Sequence, residues 1–385
     1  MNILIVHNKE INHYPPVKSL VDIMIELGHK ITLVCYDEFG YANEKNTKVN
    51  CEVIRLNEYK KSGRFSRIIN IFCFKKNIRT QVSKLMNEND LIWTTTDNTI
   101  SLLGRELLKH RIHVMQLMEL VDDAPIMYYN FLYKLKLNRV FTVNLEKYAR
   151  RASHLVVPEI NRAYIVKAMW NLDKLPTVLP NKPYKIEVNE PNQEIKDLID
   201  KLTATKKKLI LYQGIFLKER KLDEFAEAID KLGSEYAFCI MGRDREERRR
   251  LCKKYPNIIY IPFIAPPLHL LITQIAYVGV LTYFPEEDYS LPGKLNVLYC
   301  APNKIYEYAY SELPMIGNNI PGLATPFEKY NIGKCFDELD SESIVRALKD
   351  IESEYEEMKQ ACKSYYNSVD MKAIVKKVLS LAPVQ

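Results

Sequence analysis

Residues 301–323 read APNKIYEYAYSELPMIGNNIPGL, and the fold turns on their first part, Pro302, Asn303, Lys304, Ile305, Tyr306 and Glu307. Pro302 stands just before a helix predicted over residues 303–312, so Asn303 is expected to cap it. Free amides at a helix start bind phosphate, and Lys304 adds a positive charge there. Glu307 lies about one turn further along, where a carboxylate accepts hydrogen bonds from the two hydroxyls of a ribose. The alternative role for Glu307 is an acid favoured by the helix field. Ile305, Tyr308 and Ala309 are expected to pack inward. Gly317 and Gly322 flank a loop that can pass close to a base or sugar.

Outward from this segment, strands alternate with helices. Upstream, residues 209–213 (LILYQ), 236–241 (YAFCIM), 258–261 and 278–283 (VGVLTY) read as strands, and 221–232, 244–254 and 268–275 as helices. Residues 315–316 form a very short strand, and 342–349 and 353–379 finish the chain as helices, the last turning near 366–370. The first half repeats the alternation. Residues 2–7 (NILIVH), 30–35 (KITLVC), 53–56, 90–94 (DLIWT), 113–117, 141–143 and 154–157 read as strands, and 16–28, 66–86 and 99–109 as helices. In residues 16–28, Val17, Leu20, Met24 and Leu27 recur at helical spacing and Gly28 marks the stop. Such alternation predicts parallel sheets and an α/β class. The punctuation at Leu179-Pro180-Asn181-Lys182-Pro183, followed by the mostly polar stretch 184–206, marks a domain boundary. Two open parallel sheets bind ligands outside the carboxyl ends of their strands, and facing each other they make an interdomain cleft.

The bulk numbers agree. A chain of 385 residues, 47% hydrophobic and 27% charged, is globular and long enough for two domains. The eight cysteines contain no CxxC pair, which argues for reduced thiols and against a zinc site. A net charge of +7 is mild. It favours phosphate-bearing ligands or an anionic surface and gives no stripe for nucleic acid. No stretch has the length and purity of a spanning helix, nor does the start resemble a secretory leader. The expected location is cytoplasmic.

Strand ends supply the other candidate residues. Gly214 lets backbone approach a ligand, and Lys218, Arg220 and Lys221 follow it, cations suited to a diphosphate. The alternative is a turn with solvated charges. Gly242 ends the next strand and is placed to pass beneath a nucleotide. Arg243 is either a ligand contact or part of the solvated DREERRR face.

The segment PNKIYEYAYSELPMIG resembles the signature of retaining, nucleotide-sugar-dependent GT-B glycosyltransferases of the group 1 family, PNK(I/L)(F/Y)EY…(G)LPV(I/V). Leu179-Pro180-Asn181, Tyr212-Gln213-Gly214, Arg220-Lys221-Leu222-Asp223, Ile240-Met241-Gly242 and residues 26–31 (ELGHKI) follow in family order. The resemblance implies a GT-B fold: an acceptor-side Rossmann-like domain over 1–181, a donor-binding domain over 182–365, and a C-terminal helix over 366–385 packing back on the first. It also implies that Arg220 contacts the donor diphosphate, Glu307 holds the ribose, and the amides around Asn303 and Lys304 meet phosphate or sugar. The nucleobase is expected near Gly242 and residues 261–264. The donor is a nucleotide diphosphate sugar, with uridine the family-level expectation. No tightly bound cofactor or metal is expected, the leaving diphosphate being stabilised by Arg220, Lys304 and helix-start amides. The acceptor is a carbohydrate or a lipid-linked carbohydrate, as in surface polysaccharide or glycolipid synthesis.

Several positions depart from the family text. Tyr299 stands where a partner glutamate often precedes Glu307, and Lys221 and Glu312 stand where glycine is usual. The loop after the first strand, residues 8–16 (NKEINHYPP), is not glycine-rich. Glu119 alone survives from a DxHE-like segment, either polarising an acceptor hydroxyl or lying in solvent. His7 and His13 follow the first strand and are structural unless they reach the cleft. Residues 64–79 (RFSRIINIFCFKKNIR) read either as a helix covering the sheet or as one lying in a membrane interface. The expected reaction is sugar transfer to an acceptor hydroxyl with retention. The alternatives are a non-catalytic nucleotide-sugar-binding or partner-binding relative and a nucleotide-sugar epimerase of the same fold.

Overall fold

The computed structural model describes residues 1–38, 40–45, 50–56, 66–110, 112–121, 123–125, 142–188 and 190–382. The backbone divides into two units, Met1–Tyr184 with Met371–Gln385, and Lys185–Asp370.

In the first unit β1 (Asn2–Glu10), β2 (Lys30–Tyr36), β3 (Cys51–Arg55), β4 (Leu91–Thr95), β5 (His113–Gln116), β8 (His154–Val157) and β9 (Thr177–Val178) form one sheet in the order β3-β2-β1-β4-β5-β8-β9, every pairing parallel. Two short strands, β6 (Asp123–Pro125) and β7 (Thr142–Asn144), pair antiparallel beside it. Ile3, Leu4, Ile5 and Val6 are all buried, as a strand covered on both faces requires. The helix Pro15–Glu26 carries its prolines in the first turn, where no donor is missed, and Gly28 sits beyond its end at φ +83°. The strand expected over 2–7 runs on to Glu10, through a register shift after His7. A 3-10 turn, Ile11–His13, follows it.

The second unit holds β10 (Lys208–Gln213), β11 (Tyr236–Gly242), β12 (Ile259–Pro262), β13 (Val278–Leu281), β14 (Met315–Asn318) and β15 (Gly333–Phe336), again all parallel, in the order β12-β11-β10-β13-β14-β15. Each sheet starts in the middle and changes direction once, between β1 and β4 and between β10 and β13. Those switch points open crevices at the carboxyl ends of the strands. One core of the second unit packs Phe225, Phe238 and Ile344 around Ile210 and Val280. Another seats Ile305 and Tyr308 of the helix Asn303–Tyr310 with Leu323 and Phe327. The Tyr308 ring occupies the space a side chain at Gly279 would need, its Cδ2 only 2.5 Å from the ideal Cβ position.

Several expectations are corrected. Pro302, not Asn303, is the N-cap, and no side chain caps the helix; Asn303 is its first residue. The polar stretch 184–206 contains the helix Gln193–Ala204, capped by Asn192 through a 3.0 Å bond from the Ile195 amide. The helices Leu291–Leu298 and Pro321–Tyr330 and the strand β15 are additional. The helix expected over 342–349 is Ser341–Ser353, and the one expected over 353–379 divides at its expected turn into Tyr355–Ser368 and Met371–Leu381. The last belongs to the first unit and packs on the helix Pro15–Glu26. There the Glu26 Oε2 accepts from the Tyr184 hydroxyl at 2.8 Å and lies 3.4 Å from the Lys372 Nζ. The side chains of residues 64–74, which carry most of the expected interfacial face, lie outside the described residues. Among the described residues no helix is long and apolar enough to cross a membrane.

Candidate functional site

The second unit's switch point gathers most of the candidate residues. Gly214 follows β10 with φ +142° and donates its amide to the Met241 carbonyl at 2.9 Å. A Cβ on Gly214 would stand 2.8 Å from the Lys304 Nζ, and one on Gly242 would stand 2.2 Å from the Gly214 carbonyl oxygen. Glycine at both positions is what lets the ends of β10 and β11 and the Lys304 ammonium come together.

Lys304 is half-buried on the first turn of its helix. Its Nζ lies 4.9 Å from the centroid of the Tyr212 ring and 6.0 Å from that of Tyr283. No described residue pairs with it through a hydrogen bond or ion pair. Burial, and then the like charge of Arg220, bring its pKa down to about 7, with Glu307 acting the other way. Arg220 ends the 3-10 turn Lys218–Arg220. Its Nη1 donates to the Thr282 carbonyl at 2.7 Å, and its guanidinium lies over the Tyr283 ring at 4.6 Å. The Arg220 Nε and the Thr282 hydroxyl are both buried without a partner, which is costly unless a ligand or water completes them.

Glu307 is buried on the same helix as Lys304. Its Oε2 accepts from the Gln213 Nε2 at 2.7 Å and lies 3.4 Å from the His269 Nε2. Gln213 in turn accepts on Oε1 from the Thr273 hydroxyl at 2.9 Å. No described residue bonds Oε1 of Glu307. The arrangement thus offers two cations, buried unpaired polar atoms and one open carboxylate oxygen around the end of β10. A ligand that carries both an anionic group and hydrogen-bond donors is what such a set satisfies.

Gln213, His269, Thr273, Thr282 and Tyr283 were not singled out in the sequence. Gln213 closes β10 and Thr282 follows β13, so a polar residue at the end of a buried strand was the available signal for those two. The remaining candidates lie elsewhere. Arg243 is exposed and stacks on Phe263 at 4.8 Å. In the first unit Glu119 is exposed in the loop after β5, where Arg162 donates to the neighbouring Met118 carbonyl at 2.7 Å. His7 is fully buried, bonded at Nδ1 to the Thr95 hydroxyl at 2.7 Å and held edge-on to Tyr14. Burial depresses its pKa to about 3, so it is neutral. His13 is exposed. Cys35, Cys239, Cys252, Cys335 and Cys362 are free thiols. Among the described residues no group of three His, Cys, Asp or Glu side chains is placed to hold a metal ion.

No protein-family model and no curated protein matches the chain. Solved structures match it over nearly its whole length. HepE of Anabaena, in complex with UDP and glucose, is 12% identical with a TM-score of 0.66, covering 99% of this chain and 98% of that one. Sucrose-phosphate synthase from Thermosynechococcus elongatus is 14% identical with a TM-score of 0.67 and the same coverage. A putative UDP-N-acetylglucosamine 2-epimerase from Listeria monocytogenes is 8% identical with a TM-score of 0.63, covering 98% of this chain and 95% of that one. At these identities the likeness is one of fold: the chain has the GT-B fold.

Proposed function

We propose that this protein is a glycosyltransferase that moves a sugar from a nucleotide diphosphate sugar to an acceptor hydroxyl with retention of configuration. The observation that carries the proposal is the meeting of Arg220 and Lys304, each with polar capacity unfilled, beside the open Oε1 of Glu307 at the β10–β13 switch point. Arg220, Lys304 and the amides of Asn303 and Lys304 stabilise the leaving diphosphate as charge develops on it. Glu307 holds the ribose, and Gly214 and Gly242 let the backbone approach the nucleotide. Arg243 and the Phe263 ring lie on the nucleobase side. HepE has been solved with UDP and with UDP-glucose, which supports a uridine donor.

The first unit supplies the acceptor side, with Glu119 as the carboxylate that orients or polarises an acceptor hydroxyl. The acceptor is a carbohydrate or lipid-linked carbohydrate, and residues 64–79 provide a peripheral membrane contact for the second kind at the cytoplasmic face.

A thermal-shift screen of nucleoside diphosphates and their sugars tests the donor site. A cognate ligand stabilises the wild type by mass action, and Arg220→Ala loses most of that shift. If no nucleotide moves the wild type, the proposal falls. The fold of the Listeria protein favours a second reading, epimerisation. Product analysis separates the two, because an altered nucleotide sugar formed without acceptor sinks transfer.

A further inference from the structure

We infer that His269 is a positioning residue for Glu307: together with Gln213 it engages one carboxylate oxygen, so that a bound ribose meets the other oxygen and is recognised mainly through one of its two hydroxyls. The inference rests on the proposed nucleotide site.

A carboxylate only accepts hydrogen bonds, so the Gln213 amide must turn its nitrogen to Glu307 and its oxygen to Thr273. The contacts agree, at 2.7 Å and 2.9 Å. The His269 Nε2, 3.4 Å away, approaches the same Oε2. The Gln213 amide bonds that oxygen and the His269 Nε2 stands against it at 3.4 Å, while Oε1 receives no bond from the described residues. His269 is itself fixed. It is buried and occupies the N-cap of the helix Leu270–Gln274. Its carbonyl accepts from the Thr273 hydroxyl and amide, each at 3.3 Å. Its Nδ1 is buried without a partner, and Nε2 is the ring atom turned to the carboxylate. Thr273, Gln213, Glu307 and His269 therefore form a closed ring of contacts spanning three elements, and the ring sets which carboxylate oxygen faces outward.

The test titrates wild type, His269→Leu and His269→Gln with uridine diphosphate and its 2′-deoxy and 3′-deoxy forms by calorimetry, after circular dichroism confirms folding. In the wild type one deoxy form is expected to bind about tenfold more weakly than the parent and the other within about threefold. His269→Leu frees Oε2, weakens uridine diphosphate by about tenfold and evens out the two deoxy forms. His269→Gln, whose amide nitrogen can stand against the same oxygen, restores affinity and discrimination. Discrimination in a folded Leu variant equal to the wild type overturns the inference alone, as do equal losses with both deoxy forms in the wild type. A wild type that binds no uridine diphosphate overturns the uridine site and this inference with it.

Discussion

At the scale of single residues, Lys304 gives the sharpest electrostatic prediction. Its pKa is about 7 in the folded chain against an ordinary 10.5. Between those values the unfolded chain holds a proton that the folded chain lacks, so this group makes stability rise with pH across that window. Below about 7 the folded state carries the full cost of a crowded, desolvated ammonium. Lys304→Met is therefore expected to stabilise the ligand-free protein below pH 7, with the gain shrinking toward pH 10.5. Denaturant unfolding at several pH values reads this, and a pH-independent difference would refute it. The two missing glycines speak at the same scale. Lys221 and Glu312 both hold left-handed backbone, at φ +49° and +53°, so the turn is kept although the glycine is not. Lys221→Gly relieves about 1 kcal/mol of steric cost and returns part of it through chain entropy. A net gain of about 0.5 kcal/mol in denaturant unfolding is expected. At Glu312 the same change also loses the 2.7 Å pair with Lys363, and the net effect approaches zero. Much of the site was legible because its residues sit in one signature or at strand ends. His269 and Thr273 were not. Their partners are at 213 and 307, and no spacing in sequence announces a ring of contacts closed by the fold.

At the scale of elements, the strands were the easiest to read. Apolar runs such as residues 3–6 and 209–212 are buried on both faces and have no other plausible use. The helices overlooked are those whose text argues against them. Residues 321–330 (PGLATPFEKY) hold two prolines and a glycine, yet Pro321 falls in the first turn, where a missing donor costs nothing. Residues 193–204 look merely polar, but Ile195, Leu198, Ile199 and Leu202 repeat at helical spacing, and the first and last of these are buried. Residues 333–336 (GKCF) are too short and mixed to signal a strand. The seating of the helix Asn303–Tyr310 depends on Gly279, because the Tyr308 ring cannot move aside. The Tyr308 hydroxyl reaches the Leu211 and Val280 carbonyls, each at 3.4 Å, and Tyr306 stacks on Tyr365 of the neighbouring helix at 5.3 Å. Gly279→Ala is thus expected to destabilise by about 1–3 kcal/mol through overpacking. It should also weaken nucleotide binding, because Lys304 and Glu307 ride on that helix. Chemical denaturation and calorimetry check the two effects, and a variant with wild-type stability would show that the ring yields after all.

At the scale of the whole molecule, the same strand order is built twice, and the chain returns to the first unit only at its end. Leu179-Pro180-Asn181 marks the passage between units, but neither composition nor periodicity tells the last helix which unit it joins. That is decided by complementary surfaces. Met371, Val375, Val378 and Leu379 form the buried face of the helix Met371–Leu381, which packs on Pro15–Glu26. A buried side chain of this size contributes about 1.5–3 kcal/mol, an upper bound because unfolded chains already bury some surface. Removing residues 371–385 should therefore cost the first unit several kcal/mol, a large share of an ordinary domain's stability. The second unit keeps its own cores, and its candidate site draws no described contact from the removed segment. Hydrogen exchange on the shortened chain should show Pro15–Glu26 amides losing protection while those of β10 and β11 keep theirs. Nucleotide binding is expected to survive in proportion. Equal loss of protection in both units would mean that the terminal helix supports the molecule as one cooperative body. Unchanged protection in Pro15–Glu26 would mean that its packing contributes little, against the burial of those four side chains.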